Sequence, residues 1–247
     1  MPRLRLKEEK MADKIAIGIV CSHPKETKSL SAVLKNAKKA RFSLFRGMEG
    51  MLGDKPCIVI ESGMGGDRAY AAVKQLIPLY EPEVILDFGA AAALSGDFSP
   101  GDLVAVNAAM NCSAFLSAWK KSDPFFNDPA QIPDMDFPVI RVPSNVTSVF
   151  QKIGDISVTD AGCADHFIES ETVRNTLQEQ EIGLFDYETW SVFQASKESG
   201  VLYGSLRVIT DKAGKNAVKE FRKNAGPALN RAAGILPSIV AMFCKSE

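Results

Sequence analysis

Three carboxylate residues, Glu26, Glu188 and Asp211, stand where acid–base chemistry is possible. Each follows closely on an apolar segment that has the composition of a buried strand. The carboxyl ends of parallel strands meet at one edge of a sheet, so we expect the three side chains near one rim. Carboxylates placed there suit proton transfer and the binding of sugar hydroxyls.

A glycine-rich turn, Ser62-Gly63-Met64-Gly65-Gly66, follows another apolar segment. Free backbone N–H groups and a helix N-terminus at such a turn favour an anion or a polarised oxygen. The turn lacks the G-x-G-x-x-G spacing of a dinucleotide site, and the sequence contains neither G-x-x-x-x-G-K-[ST] nor G-x-S-x-G. The sequence therefore does not favour a dinucleotide-dependent hydride transfer, a P-loop nucleotide site or a serine hydrolase with a nucleophile elbow.

The elements that must position these residues alternate between strand and helix. The uniformly apolar run Ile15–Val20 predicts a strand buried on both faces, and Pro24 predicts the start of a helix. The same alternation recurs from Cys57 to Pro82 and from Ile156 to Thr210. It predicts an α/β fold with three layers, α/β/α, around a central mixed, mostly parallel sheet.

Four segments carry less regular signals. We predict an antiparallel pair of strands at Arg41–Arg46 and Pro56–Glu61, joined by a hairpin loop at Gly47–Asp54. We also predict a tight small-residue segment at Gly89–Leu94, a long surface loop at Asn111–Pro138, and a final helical region from Ala217 with breaks at Pro227 and Pro237.

Composition narrows the class of protein. The chain has 29 Lys and Arg against 30 Asp and Glu without clustered basic residues, so a nucleic acid polymer is not expected as a partner. Five cysteines without a C-x-x-C pair indicate reduced thiols in a cytoplasmic protein. With two histidines, we expect neither a metal nor an organic cofactor. No apolar stretch reaches membrane-spanning length, and we expect a disordered leader at residues 1–13 before a single domain at 14–247.

Five ordered motifs carry a resemblance to a known family. They are Ser62-Gly63-Met64-Gly65, Phe88-Gly89-Ala90-Ala91, Pro100-Gly101-Asp102-Leu103-Val104, Asp186-Tyr187-Glu188 and Arg207-Val208-Ile209-Thr210-Asp211-Lys212-Ala213. In order and spacing, the chain from Lys14 onward resembles the nucleoside phosphorylase and nucleosidase superfamily, of the purine nucleoside phosphorylase and uridine phosphorylase type. Within it, the chain is most similar to methylthioadenosine/S-adenosylhomocysteine nucleosidases and to hopanoid-associated phosphorylase-like proteins.

The resemblance implies a nucleosidase-like hydrolase that cleaves the N-glycosidic bond of a purine nucleoside such as methylthioadenosine or S-adenosylhomocysteine. Asp211 matches the acid that protonates the base, Glu26 the group that positions water, and Glu188 the ribose-binding carboxylate. The remaining implied substrate contacts are Tyr187, Ser62, Gly63, Met64, Gly65, Gly89, Ala90 and Phe167. The family also implies a homodimer or higher homo-oligomer.

Two alternatives stay open beside hydrolysis. Phosphorylases of this family place arginines around phosphate, and the alignment puts Glu26 and Asp87 there, which disfavours phosphorolysis unless Arg68 or Lys25 substitutes. The second alternative is a catalytically silent nucleoside-binding protein.

That second alternative follows from two departures from the family pattern. Ala91–Ala93 stand where the family usually has glycines. Gly162 and Cys163 stand in place of the Phe that stacks on the base, which would leave His166 or Phe167 to contact it.

Overall fold

The computed structural model describes residues 15–121, 137–168 and 170–243. The strands are β1 Ile17–Cys21, β2 Lys35–Lys39, β3 Arg46–Leu52, β4 Lys55–Glu61, β5 Val84–Ala93, β6 Leu103–Asn111, β7 Val139–Arg141, β8 Ile156–Cys163, β9 Ile182–Asp186 and β10 Leu202–Asp211. The helices are α1 Pro24–Val33, α2 Gly66–Tyr80, α3 Ser113–Lys121, α4 Ser144–Gln151, α5 Glu171–Glu179, α6 Thr189–Glu198 and α7 Ala217–Phe243. The leader expected at residues 1–13 lies outside the described residues.

One sheet joins the strands in the order β10-β6-β8-β9-β5-β1-β4-β3-β2, with β7 on β6. An additional pairing of β10 with β5 closes five of these strands, β5, β10, β6, β8 and β9, into a ring. The neighbours β4, β1, β5 and β10 run parallel, as do β6, β8 and β9. The predicted α/β fold with a central mixed sheet is confirmed, and the ring brings the ends of β9 and β10 together beside β5.

The parallel strands are buried because their residues are apolar on both faces. Every residue of β1 is buried, and its register pairs Cys21 with Glu61 at the end of β4. Helices cover the sheet: α1 packs against α7, α2 packs against α6, and both pairs contact the strands. Each Å² of apolar surface that such strands bury stabilises the fold by roughly 25 cal/mol.

Helix α1 begins where the sequence predicts. Pro24 occupies its first position, and His23 caps it by accepting a hydrogen bond from the Lys25 backbone N–H through Nδ1. The Glu26 side chain returns the contact by accepting from the His23 N–H, which completes a capping box. This arrangement fixes the position of the Glu26 carboxylate relative to the end of β1.

Four local predictions are wrong in part. The strand expected at Arg41–Arg46 is wrong except for its last residue, because Arg41–Phe45 is irregular and β3, at Arg46–Leu52, covers most of the expected hairpin loop. At Gly47 a Cβ would lie 2.2 Å from the Phe42 ring, so the absence of a side chain lets that ring pack against β3. Residues 89–93 continue β5, and Ser113–Lys121 of the expected long loop forms helix α3. Residues 122–136 of that loop lie outside the described part of the chain.

Helix α7 also continues through Pro227 and Pro237, where breaks were expected. An interior proline costs about 3 kcal/mol. The apolar face of α7 is buried on both sides of Pro227, at Ala225 and Leu229, and its packing on the sheet offsets that cost. Among the described residues, no helix is both long enough and apolar enough to cross a bilayer.

Candidate active site

A cavity of about 410 Å³ lies where strands β1, β9 and β10 end, alongside β5. The three carboxylates singled out in the sequence, Glu26, Glu188 and Asp211, all line it. Each is almost completely buried, with 3%, 5% and 4% of its surface exposed. The structure therefore brings together the residues whose proximity had been predicted from their places after strands.

Glu26 is held by hydrogen bonds to backbone groups. Its Oε2 accepts from the N–H of Ser22 at 2.8 Å and of His23 at 2.9 Å, while its Oε1 accepts from the N–H of Ala90 at 3.0 Å. Three backbone donors from the loop after β1 and from β5 thus converge on one carboxylate. This is the arrangement with which proteins bind small anions, and here the protein supplies the anion itself.

Asp211 ends strand β10 beside an apolar wall. Its Oδ1 accepts from the Ala213 N–H at 3.2 Å, and its Oδ2 accepts from the Thr210 hydroxyl at 2.9 Å. Burial raises its pKa to about 6, against the lowering effect of these two hydrogen bonds. A carboxyl group with this pKa is able to donate a proton near neutral pH.

Glu188 immediately precedes helix α6 and reaches across to the glycine turn. Its Oε1 accepts from the N–H of Gly65 at 2.9 Å, and the neighbouring N–H of Gly66 donates to Asp165 Oδ1 at 2.7 Å. The start of helix α2 is therefore occupied by two carboxylates of the chain itself. Burial raises the pKa of Glu188 to about 8, although the positive charge of Arg207 acts in the opposite direction.

A buried network supports Glu188 from behind. Asp186 Oδ1 accepts from the backbone N–H groups of Glu188 and Thr189, both at 3.0 Å, and its Oδ2 pairs with Arg207 Nε at 2.9 Å. Arg207 Nη2 also pairs with Asp87. The guanidinium is thus held between two carboxylates while it also donates to the Thr189 hydroxyl at 2.7 Å.

Charge in this network is unbalanced. Burial alone would lower the pKa of Arg207, but the negative charges of Asp186 and Asp87 outweigh it and keep the guanidinium charged. Burial raises the pKa of Asp87 to about 7, with Arg207 opposing the rise and Asp186 adding to it. The site therefore has more buried carboxyl groups than positive charges, and each of these groups favours a positive charge developing within the site when it is ionised.

Gly89 lies between the network and Glu26. A Cβ at this position would lie 2.5 Å from Arg207 Nη1 and 2.6 Å from Glu26 Oε1. Only a glycine lets these two side chains approach each other across β5. Arg207 Nη1 and Glu26 Oε1 therefore both lie close to the Gly89 backbone.

The other residues predicted as substrate contacts divide into two groups. Tyr187, Met64, Ala90 and Phe167 line the cavity together with the carboxylates. Ser62, Gly63, Gly65 and Gly89 are absent from its lining. Ser62 is fully buried, and Gly65, which has a φ of +110°, donates its N–H to Glu188. This second group therefore supports the residues that line the cavity. Their contact with a substrate stays a prediction.

The departures from the family pattern have structural explanations. Ala91–Ala93 lie within strand β5 without a positive φ, so their methyl groups block no turn. Gly162 packs against Phe185, where a Cβ would come within 3.0 Å of that ring, and Cys163 is buried. Phe167, 42% exposed, lines the cavity instead.

Sequence reasoning missed several residues of the site. Arg207, Asp186 and Asp165 were not selected, although the first two lie inside quoted motifs. A buried arginine in an otherwise apolar strand was the available signal, because such a charge requires a partner. His23 and Phe221 also line the cavity, and nothing in the local sequence singled them out.

Comparisons with known proteins agree with this geometry. The family model of the Phosphorylase superfamily matches residues 16–241. A 5′-methylthioadenosine/S-adenosylhomocysteine nucleosidase of Staphylococcus epidermidis is 25% identical over 215 residues, which are 84% of this chain and 91% of that protein.

Two solved structures share the fold. The nucleosidase of the same name from Helicobacter pylori, with butyl-thio-DADMe-Immucillin-A, has a TM-score of 0.80 at 20% identity, over 93% of this chain and 99% of that chain. Futalosine hydrolase of Helicobacter pylori has a TM-score of 0.79 at 19% identity, over 92% and 98% of the two chains. The resemblance inferred from five short motifs is confirmed across nearly the whole described chain, which belongs to the phosphorylase superfamily.

Proposed function

We propose that this chain hydrolyses the N-glycosidic bond of a purine nucleoside, with water as the nucleophile. The observation that carries the proposal is the convergence of Glu26, Glu188 and Asp211 on one cavity, with Glu26 seated on three backbone N–H groups. Nucleosidases among the relatives, including the one from Staphylococcus epidermidis, support the same reaction class.

The reaction needs three contributions, and each carboxylate supplies one. As the bond to the base breaks, the base gains electron density and Asp211 gives it a proton. The sugar becomes positively charged in character, and the buried negative charge around Glu188 stabilises it while Glu188 holds the ribose hydroxyls. Glu26 accepts a hydrogen bond from the attacking water and takes its proton as the new C–O bond forms.

Water is favoured over phosphate as the nucleophile because carboxylates of the chain itself already accept from the backbone N–H groups that could bind an anion. The Ala90 N–H is bonded to Glu26, and the N–H groups of Gly65 and Gly66 are bonded to Glu188 and Asp165. A phosphate entering here would meet carboxylates, and the repulsion in a desolvated site would amount to several kcal/mol.

The two cations considered as phosphate ligands have other contacts in the structure. Arg68 is absent from the cavity lining, and its Nε donates to the Ser62 carbonyl at 2.8 Å. Lys25 lines the cavity, but its Nζ lies 4.9 Å from the centre of the Phe221 ring, over helix α7. Phosphorolysis is therefore disfavoured by the carboxylates that already occupy these backbone N–H groups.

Release of free base, measured by chromatography with and without phosphate, tests the proposal. The substrates are methylthioadenosine, S-adenosylhomocysteine, adenosine, inosine and guanosine, and Asp211→Asn serves as the inactive control. We expect base release that does not depend on phosphate. Release only with phosphate would make the chain a phosphorylase, and calorimetric binding without release would make it a silent nucleoside-binding protein.

A cytoplasmic location and a homodimer or larger assembly remain predictions from the cysteines and from the family resemblance. Light scattering of the purified chain tests the assembly, and a monomer at micromolar concentration would contradict it.

A further inference from the structure

The lining of the cavity consists of two chemically different parts. The part around Asp211 is apolar: Ala213, whose N–H donates to Asp211, and Ala92, which pairs with Asp211 in the register of β10 on β5, both line the cavity. Phe185 pairs with Ala92 in turn, and Ile168 accepts from the N–H that follows Ala213. These apolar residues line the cavity beside the Asp211 carboxyl group, where the proposed function sets the purine base.

The part of the lining that α1 and α7 form is aromatic and basic. The His23 ring meets the Phe221 ring edge-on, with 5.5 Å between centroids, and Lys25 Nζ lies 4.9 Å from the centre of the same ring. Arg222, next in the chain, also lines the cavity and is exposed at its mouth. Lys25 near the start of α1 thus lies on the Phe221 ring, and Arg222 near the start of α7 lines the same cavity.

Neither cation, Lys25 or Arg222, is paired with an acid within the described part of the chain. The acids that line the cavity are engaged deeper in, Glu26 with backbone N–H groups and Glu188 with Gly65. Two unpaired cations at the mouth of a cavity attract an anionic group of the ligand.

We infer that the nucleoside carries an anionic 5′ substituent, a carboxylate or a phosphate, which Lys25 and Arg222 bind while its stem lies on Phe221. The inference rests on the proposed function, which sets the base at Asp211 and the ribose at Glu188 and Glu26. The 5′ substituent of a nucleoside so placed can reach Lys25, Phe221 and Arg222, because these residues line the same cavity.

A matched series of nucleosides tests this inference. The neutral member is 5′-propylthio-5′-deoxyadenosine, the carboxylate member is its 5′-(2-carboxyethylthio) counterpart, the cationic member is the 5′-(3-aminopropylthio) compound, and adenosine 5′-monophosphate supplies the phosphate. We expect kcat/KM for the carboxylate or the phosphate to exceed that for the neutral member by roughly fivefold to tenfold, and the cationic member to be the poorest.

The variants assign the preference to particular residues. In Lys25→Gln and Arg222→Gln, the ratio of anionic to neutral kcat/KM should fall toward one. Lys219→Gln and Lys223→Gln remove exposed cations of the same helix that do not line the cavity, so they should keep the wild-type ratio. The preference should also weaken as the salt concentration rises.

The outcomes separate the two proposals. A preference for carboxylate or for phosphate supports the inference and identifies the anion. Equal kcat/KM for neutral and anionic members, or a ratio that Lys25→Gln and Arg222→Gln leave unchanged, overturns it. If no member releases base, the proposed function fails, and calorimetric Kd values for the same series then decide the inference, with equal Kd for neutral and carboxylate members counting against it.

Discussion

Replacement of Glu188 by glutamine should stabilise the protein while it abolishes turnover. The carboxyl group is 5% exposed, and burial raises its pKa from 4.5 to about 8. Between these pH values the folded chain binds a proton that the unfolded chain has lost, so the stability of the wild type falls as pH rises through this window. A glutamine keeps a side-chain oxygen that can accept the hydrogen bond from Gly65 N–H, and it carries no charge at any pH.

The magnitude follows from the same two pKa values. The stabilisation of Glu188→Gln should be about 1 kcal/mol at pH 5 and about 4 kcal/mol at pH 8, since one pKa unit corresponds to about 1.4 kcal/mol. For a chain of this size, 1 kcal/mol changes Tm by roughly 2–4 °C, so the difference in Tm should widen by roughly 6–12 °C over this range.

The assay is thermal unfolding of wild type and variant at half-unit steps from pH 5 to pH 8.5. Glu179→Gln, which removes an exposed carboxylate at the end of α5, is the control and should show no comparable widening. A Tm difference between Glu188→Gln and wild type that stays constant with pH would refute the reasoning that burial keeps this carboxyl group protonated. Base release by the same variant should be lost, because an amide never carries the negative charge that stabilises the positive charge developing on the sugar.

The remaining predictions concern three other positions. Asp211→Asn should lower kcat by about 10²–10⁴ while substrate binding by calorimetry persists, and an active variant would remove this residue from the proton transfer. Gly89→Ala should lower both Tm and kcat, since the added Cβ would lie 2.5 Å from Arg207 Nη1 and 2.6 Å from Glu26 Oε1, whereas Gly96→Ala, with open space around it, should do neither. Arg207→Met should destabilise the chain by about 3–5 kcal/mol in urea unfolding, because two buried carboxylates lose their partner; a loss below 1 kcal/mol would contradict the network.

Local sequence was sufficient to predict most elements and the three central carboxylates. The fully apolar run of β1 and the proline at the start of α1 are signals that neighbouring residues carry by themselves. The placement of Glu26, Glu188 and Asp211 near one rim followed from a general property of parallel sheets. Predictions failed where glycines in β3 and prolines in α7 were read as breaks, because packing at those positions outweighed the local preference.

Tertiary structure alone decided how the site is supported. The pairing of β10 with β5 brings Arg207 against Asp87, 120 residues away in sequence, and against Asp186 on β9. Likewise, the Ala90 N–H reaches Glu26 across 64 residues, which is why a carboxylate occupies the anion site that favours water over phosphate. The sequence by itself determined which chemical groups follow the strands. Contacts between distant strands decide which of these groups interact through a proton, a charge or a backbone N–H. Local sequence patterns do not predict those contacts, because the residues involved are far apart in the chain.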